Sequence, residues 1–428
     1  MTGPRLIKHA KLLDVYISSE HVGQLAQNER GKIWFEYDPL WIKTGFPLTP
    51  LDQFSLKAGA FATDQQNPFN GLHGVFNDAL PDGWGLLLMD RTFKKYFNWD
   101  PHEITALDRL AYIGNRAMGA LEFREAITII DDVELPSINA LAAESVLIQK
   151  STQEEVLNSL AIYGGSPGGA RPKVTVALER NGDSCISGFS VIPENYDHWI
   201  IKFRTQLSDP ICMGSIELAY SKMAQLAKID IPKTKLISAE VQGKKEEFFA
   251  VQRFDRIGNS KKHIVSLAGM LEISHRSPSI DYLDLLKAVQ FVTNSDLEIE
   301  KAFRLMVFNV LAHNKDDHSK NFSFIYSDGL WKMTPAYDLT FSSGMNNQHA
   351  TSVMGLGLPT AESIQRVAKK MGVKKSNEII REVYEAVLAW ETIASEENIS
   401  RKIISQYKKA MVEGPCFKEL QTFYKRSS

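Results

Sequence analysis

At 428 residues the chain is too long for one small core, so two or three domains or lobes are expected. Its 44% apolar and 23% charged residues describe a soluble globular protein, and a net charge of −2 excludes the overall basic footprint of an autonomous nucleic-acid binder. Three cysteines, Cys185, Cys212 and Cys416, lie far apart without metal-ligand spacing, which excludes a disulfide framework and points to a reducing compartment. The sequence opens without a basic-then-apolar leader and holds no apolar run near the ~20 residues that span a bilayer, so a cytoplasmic protein with no membrane contact is expected.

In chain order, residues 11 to 37 read as short strands, LLDVYI, HVGQLAQ and KIWFEY, with a turn at Asn28 to Gly31. They predict a small sheet or barrel rich in Trp34, Phe35 and Tyr37. The stretch Gly74 to Phe97 has helical periodicity broken at Pro81, with Asp82 placed as the N-cap of a helix beginning at Trp84. Asn77, Asp78 and Asp82 could be taken as a site, but two capped helix starts are the simpler reading. A polar, helix-rich connector follows, from about Asp131 to Ser159.

Residues 163 to 173 read YGGSPGGARPK. Four glycines in six residues (Gly164, Gly165, Gly168, Gly169) free the backbone to turn its N–H groups around an anion, and Lys173 or Arg171 could neutralise phosphate charge. The segment matches no standard phosphate-loop pattern, and alone it could be a flexible hairpin. Its place directly before the strands VTVAL and HWIIKF favours the anion-binding reading. Lys202 closes the second of these strands, where a lysine can reach nucleotide phosphates. Glu217 opens an amphipathic helix, IELAYSKMAQLAKI, and is free in that pattern either to pair with Lys202 or to serve the helix dipole. A strand at Thr234 to Ile237, a turn at Gly243 to Glu247 and the strand FFAVQRFDR complete a five-stranded sheet.

From Tyr282 the pattern is mainly helical: YLDLLKAVQFV, then IEKAFRLMVFNVLAHN, ending near His313. Asp316 and Asn321 come next, five residues apart, then the hairpin FSFIY-SDG-LWKM, then Asp338. Phosphoryl transfer to a hydroxyl needs an acid beside the attacking oxygen, and amide and carboxylate oxygens to hold Mg²⁺. This stretch supplies all three, and D-x-x-x-x-N is the interval of a protein-kinase catalytic loop. The interval selects Asp316 over the adjacent Asp317. A glycine-containing loop then runs to Leu358, and helices are predicted at Thr360 to Met371, Ser376 to Glu396 and Ile399 to Val412. The last carries Lys402, Lys408 and Lys409, a solvated face or a small phosphate-touching cluster.

AHNKDDHSKNFSF followed by TPAYDL resembles the core signature of HipA-like serine/threonine kinases, the toxin halves of bacterial toxin–antitoxin pairs. VFNDALPD and GNRAMGALEF are similar to the family's N-terminal subdomain, and the resemblance extends over residues 11 to 412. It implies an α+β, bilobal protein-kinase-like fold with a small N-terminal β subdomain (1–130), an ATP-binding N-lobe (131–275) and a helical catalytic C-lobe (276–428). It implies ATP and Mg²⁺ as cofactors, Asp316 as catalytic acid, and Asn321 with Asp338 as metal ligands. The ATP-binding residues it implies are Lys202, Glu217, Gln252, Phe254, Gly165, Gly168, Gly169 and His318, with adenine held near Gln252 and the Phe254 ring. Ser166 falls on the family's autophosphorylated serine. Pro167 is a departure, since it removes one N–H from the loop, and Arg171 replaces a frequent Gln. The implied partners are a helix-turn-helix, HipB-like antitoxin, operator DNA only through that antitoxin, and a protein substrate in translation, by analogy an aminoacyl-tRNA synthetase. A catalytically weak corepressor and a small-molecule kinase are the alternative readings.

Overall fold

The computed structural model describes residues 8–427 except 52–54, 64–67, 126–134, 151–157, 165–167, 183, 206–207 and 277–279. The calls on Gly165 and Ser166 therefore lie outside the described residues. The chain gathers into two units. The first holds the residues up to Gly214 with Lys235–Val265 and Gly269–Glu272, and the second holds Ser215–Thr234, Ser266–Ala268 and Ile273 onward.

The first unit contains two five-stranded sheets. One is built from β1 (Leu12–Ile17), β2 (Glu20–Gln27), β3 (Ile33–Tyr37), β4 (Ala60–Ala62) and β5 (Leu121–Arg124), in the order β4-β3-β2-β1-β5. Alternation decides its faces: Leu13, Val15 and Ile17 of β1 and Ile33, Phe35 and Tyr37 of β3 are buried, while the residues between them are more exposed. Ser18 and Ser19 both take positive φ, which gives the two-residue turn that twists with its strands. The other sheet contains β6 (Lys173–Glu179), β7 (Cys185–Ser187), β8 (Tyr196–Lys202), β9 (Thr234–Val241) and β10 (Lys244–Gln252), in the order β7-β6-β8-β10-β9. Strand β6 is buried from Lys173 to Leu178, and β10 is buried through Phe248, Phe249 and Ala250. Val174, Val176, Ile201 and Ala250 share a core with Trp84, Leu88, Leu160 and Tyr163.

Two local expectations shift here. The turn between β9 and β10 is not Gly243 to Glu247 but the pair Gln242–Gly243, both at positive φ, so Lys244 to Glu247 join the strand. Strand β7 is too short and too polar to have stood out in the sequence. Long-range bonds then stitch the unit together. His263 Nε2 meets the Leu48 carbonyl at 2.8 Å, the Gly119 N–H donates to Asp255 at 2.7 Å, and His73 Nδ1 meets Glu272 at 2.7 Å.

The second unit is helical around Asp296–Leu311, whose start is capped by Ser295 and whose Phe303, Met306, Val307 and Phe308 are buried. Helix Tyr282–Thr293 begins with a capping box, Asp281 with Asp284. The helix expected over Ser376 to Glu396 is two, Ser376–Leu388 and Trp390–Glu396, broken at Ala389. A final helix, Pro415–Ser427, was not expected. Its proline stands at the first turn, where no N–H is needed, and its Phe417 lies 4.9 Å from the Tyr384 ring. No helix among the described residues is long and apolar enough to cross a membrane.

Candidate active site

Helix Asp296–Leu311 delivers the loop on which the acids sit. His313 takes φ +57°, a left-handed conformation that turns the chain out of the helix, and the Asn314 N–H closes the turn on the Asn309 carbonyl. The His313 ring stacks on Phe341 at 4.9 Å, and Phe341 stacks on Tyr407 of helix Arg401–Glu413 at 3.9 Å. Tyr220 donates its hydroxyl to the Ala312 carbonyl at 2.7 Å. The turn is thus gripped from both sides by aromatic side chains. Burial, with Lys315 nearby, pushes the His313 pKa down to about 4, so the ring is neutral at ordinary pH.

Asp316 and Asp317 part company at this point. Asp316 is exposed, whereas Asp317 is buried and accepts from Tyr282 Oη at 2.7 Å, His349 Nδ1 at 2.8 Å, Ala350 N–H at 2.9 Å and Thr351 N–H at 3.3 Å. Burying a carboxylate is costly unless it is fully hydrogen-bonded, and four donors meet that demand. Behind Tyr282 the network continues: Asn309 donates to the phenol oxygen at 2.9 Å and Asn314 donates to Asn309 at 2.9 Å. Burial and the Asp317 charge push the Tyr282 pKa well above 10, which keeps the phenol a donor. Asp317 is therefore the anchor and Asp316 the residue presented. Lys315 is likewise occupied, donating to the Asn347 carbonyl and side chain, both at 2.7 Å.

Asn321 closes the loop. Its side-chain N–H₂ donates to the Asp316 carbonyl at 2.8 Å, which turns the amide oxygen, a hard ligand, to other use. The hairpin Ser323–Ser327/Leu330–Met333 turns at Asp328 and Gly329, both at positive φ. Its return strand leads to Tyr337, whose hydroxyl donates to the Lys320 carbonyl at 2.7 Å and lies 2.6 Å from Ser323 Oγ. Asp338 thus follows a residue tied to the Asn321 turn, and it takes φ +56°, a strained conformation for a non-glycine residue. His318 lies on the same turn, with its ring 5.3 Å from His275 and its buried Nδ1 without a hydrogen-bond partner among the described residues.

In the first unit, Lys202 ends β8 directly across from Lys173 of β6 on one side and Phe249 of β10 on the other. Its ammonium sits 5.6 Å from the Phe249 ring centroid. Lys173 donates to the Gly168 carbonyl. Arg171, offered by the sequence as an alternative cation, is held by Asp209 at 3.0 and 3.3 Å. Gln252 and Phe254 flank Arg253 at the end of β10, and all but Arg253 are partly accessible. Under them lies a buried cluster: Asp255 accepts from Arg253 at 2.9 and 2.7 Å and from Arg256 at 2.7 Å. Burial alone would raise the Asp255 pKa, but the two guanidiniums hold it well below the usual carboxylate range. His198 beside them is pushed down to about 4, by burial first and then by Arg253 and Arg256. Glu217, of the second unit, is buried early in helix Met213–Leu226.

Sequence reasoning missed Tyr282, His349 and Asp255 as supports. A histidine 32 residues beyond Asp317 carries no local signal. It also misread Asp82, which occupies the N-cap position of helix Gly83–Phe97 yet makes no capping bond; its carboxylate accepts from the Gly169 N–H. One further group of potential ligands, Asp100, His102 and Glu103, is an exposed turn in which Asp100 takes Lys94 and Glu103 takes the Asp100 N–H.

A model of the HipA N-terminal domain matches residues 13–124, and a model of the HipA-like C-terminal domain matches residues 165–390, more than half of the chain. The putative kinase Y4mE of Sinorhizobium fredii is 25% identical over 399 residues, covering 85% of this chain and 86% of that protein. Toxin YjjJ of Escherichia coli is 27% identical over 241 residues, 53% of this chain but 48% of its own length. The chain spans 36% of another relative, putative kinase Y4dM of Sinorhizobium fredii. Among solved structures, the HipA toxin–antitoxin complex with HipB and operator DNA from Shewanella oneidensis MR-1 is similar in fold, with a TM-score of 0.67 at 15% identity over 94% of this chain and 96% of that one.

Proposed function

This chain belongs to the HipA family, and from that premise we propose that it is a serine/threonine protein kinase, transferring the ATP γ-phosphate to a protein hydroxyl. One observation carries the proposal. Asp317 is locked from four sides while its neighbour Asp316 is exposed, with the Asp316 carbonyl held by the Asn321 side chain. A general base needs that combination of fixed backbone and accessible carboxylate.

In this reading Asp316 accepts or orients the substrate hydroxyl proton. Asn321, whose amide nitrogen is committed, offers oxygen, and Asp338 offers carboxylate, the donor types that fit Mg²⁺. Bound Mg²⁺ would supply charge neutralisation on the phosphates. Lys202, with Glu217 as the acidic member of the set, serves the α- and β-phosphates. Gly168 and Gly169 belong to the phosphate segment, and Gln252 with Phe254 serves adenine. The unpartnered Nδ1 of His318 is the kind of buried polar atom that a bound ligand would satisfy. Ser166 is proposed as the autophosphorylated residue. The proposed partner is a helix-turn-helix, HipB-like antitoxin that alone brings operator DNA, and the proposed substrate lies in translation by family analogy. The division into 1–130, 131–275 and 276–428 is proposed on the same footing.

Intact-mass and phosphopeptide analysis with Mg²⁺ and ATP tests the reading. Phosphate is expected to appear at Ser166 in the unsubstituted protein and to be lost in Asp316→Asn, by a factor on the order of a thousand. Undiminished transfer by Asp316→Asn would sink the assignment.

A further inference from the structure

The peptide between Gly168 and Gly169 is held at both ends by charge. Lys173 donates its ammonium to the carbonyl oxygen of that peptide, and its N–H donates to the Asp82 carboxylate. The next carbonyl, of Gly169, accepts the Trp84 N–H at 3.0 Å. A peptide dipole set between a cation at its oxygen and an anion at its N–H has one strongly preferred orientation. The backbone is shaped for the contact. Gly83 has φ +45°, and a Cβ there would meet the Gly169 oxygen at 2.7 Å. Gly169 has φ +97°, and a Cβ there would meet the Lys173 ammonium at 2.5 Å. Gly83 is thus required twice over, by conformation and by space against backbone, and Gly169 by conformation.

Helix Gly83–Phe97 also supports the chain on the near side of the glycine segment. Trp84 and Leu88 pack in the core with Leu160, Ala161 and Tyr163, and a Cβ on Gly164 would reach Leu88 at 3.0 Å. Tyr112, from the neighbouring helix Ala106–Ile113, donates to the Ala161 carbonyl at 3.2 Å. The segment runs from helix Asn158–Tyr163 to β6, and the start of helix Gly83–Phe97 touches it at Gly164 and again at Gly168 and Gly169.

From this we propose that the Asp82–Trp84 turn of the N-terminal module is a positioning element for nucleotide binding, with Asp82 fixing the Gly168–Gly169 peptide. The inference rests on the glycine-rich segment serving ATP. Asp82 does not touch the nucleotide in this scheme; it acts through the peptide, so its loss weakens ATP binding without unfolding the chain. Asp82 is only half-buried, so Asp82→Ala should fold. Asp82→Asn keeps an oxygen that can accept the same N–H.

The experiment uses the full chain and two readouts. Hydrogen exchange over residues 168–173 without nucleotide is expected to quicken in Asp82→Ala and to return toward normal in Asp82→Asn. The Mg²⁺–ATP dissociation constant is expected to rise on the order of tenfold in Asp82→Ala, as for loss of one charged hydrogen bond, and to recover substantially in Asp82→Asn, with the thermal midpoint unchanged in both. Unchanged exchange overturns the clamp. Quickened exchange with unchanged or tighter ATP binding overturns its role. An unsubstituted protein that binds no ATP removes the nucleotide reading, and this role with it, while the exchange result still reports on the clamp.

Discussion

Asp255 in the first unit and Asp317 in the second are both buried carboxylates that fix a turn beside proposed site residues, yet they are satisfied by different means. Asp255 is neutralised twice, by Arg253 and Arg256, and takes one amide besides. Asp317 is held by a phenol, an imidazole and two amides from two distant segments of chain. The first arrangement buries excess positive charge, which adds to burial, the larger cause, in depressing the neighbouring His198. The second keeps its field local and gathers distant segments around a single carboxylate, so a loop can be fixed without charging its surroundings.

The sharpest way to break this comparison is to delete each acid. Asp255→Ala leaves two guanidiniums buried side by side, and should cost about 3–5 kcal/mol of unfolding free energy, whereas Asp317→Ala strands donors without fixed charge and should cost about 2–3 kcal/mol. Denaturant unfolding checks the order, and a larger loss at Asp317 would reverse the argument. A smaller effect sharpens it. Arg253→Met should raise the His198 pKa from about 4 part of the way toward 6.5, seen by NMR titration, because burial, the larger cause, remains. The same histidine and His263 contribute to loss of stability in acid, as His313 does. All three are depressed to about 4, so the unfolded chain binds more protons below pH ~6.5, and stability should fall as pH drops from there through 4. At the far end of the scale is Lys408, which pairs with Glu391 on an exposed helix face. Lys408→Ala should change stability by less than about 0.5 kcal/mol, since water and salt screen such pairs.

Much of this was legible because it is local. The five-residue interval picked Asp316 and Asn321, and the side chain of one does bond the backbone of the other. The Asp328–Gly329 hairpin and the alternation of β1 and β3 follow from period and turn chemistry, which neighbouring residues dictate. What stayed hidden depends on partners far along the chain. Asp317 looks like the equal of Asp316 until His349 and Tyr282 are folded onto it. Asp82 sits where an N-cap belongs, and nothing nearby says that its carboxylate serves a glycine 87 residues later. The Pro415–Ser427 helix lies beyond the reach of the motifs, and proline at its first turn is the one local signal of its start.

The stitches of the first unit bear on how the protein is made. His73 waits for Glu272, 199 residues later, and Leu48 for His263, 215 residues later. At about 5–20 residues per second, the ribosome takes on the order of ten to forty seconds to supply them. During that interval His73 and Leu48 lack these partners. Translation arrested before residue 263 would release a module with both of these stitches missing.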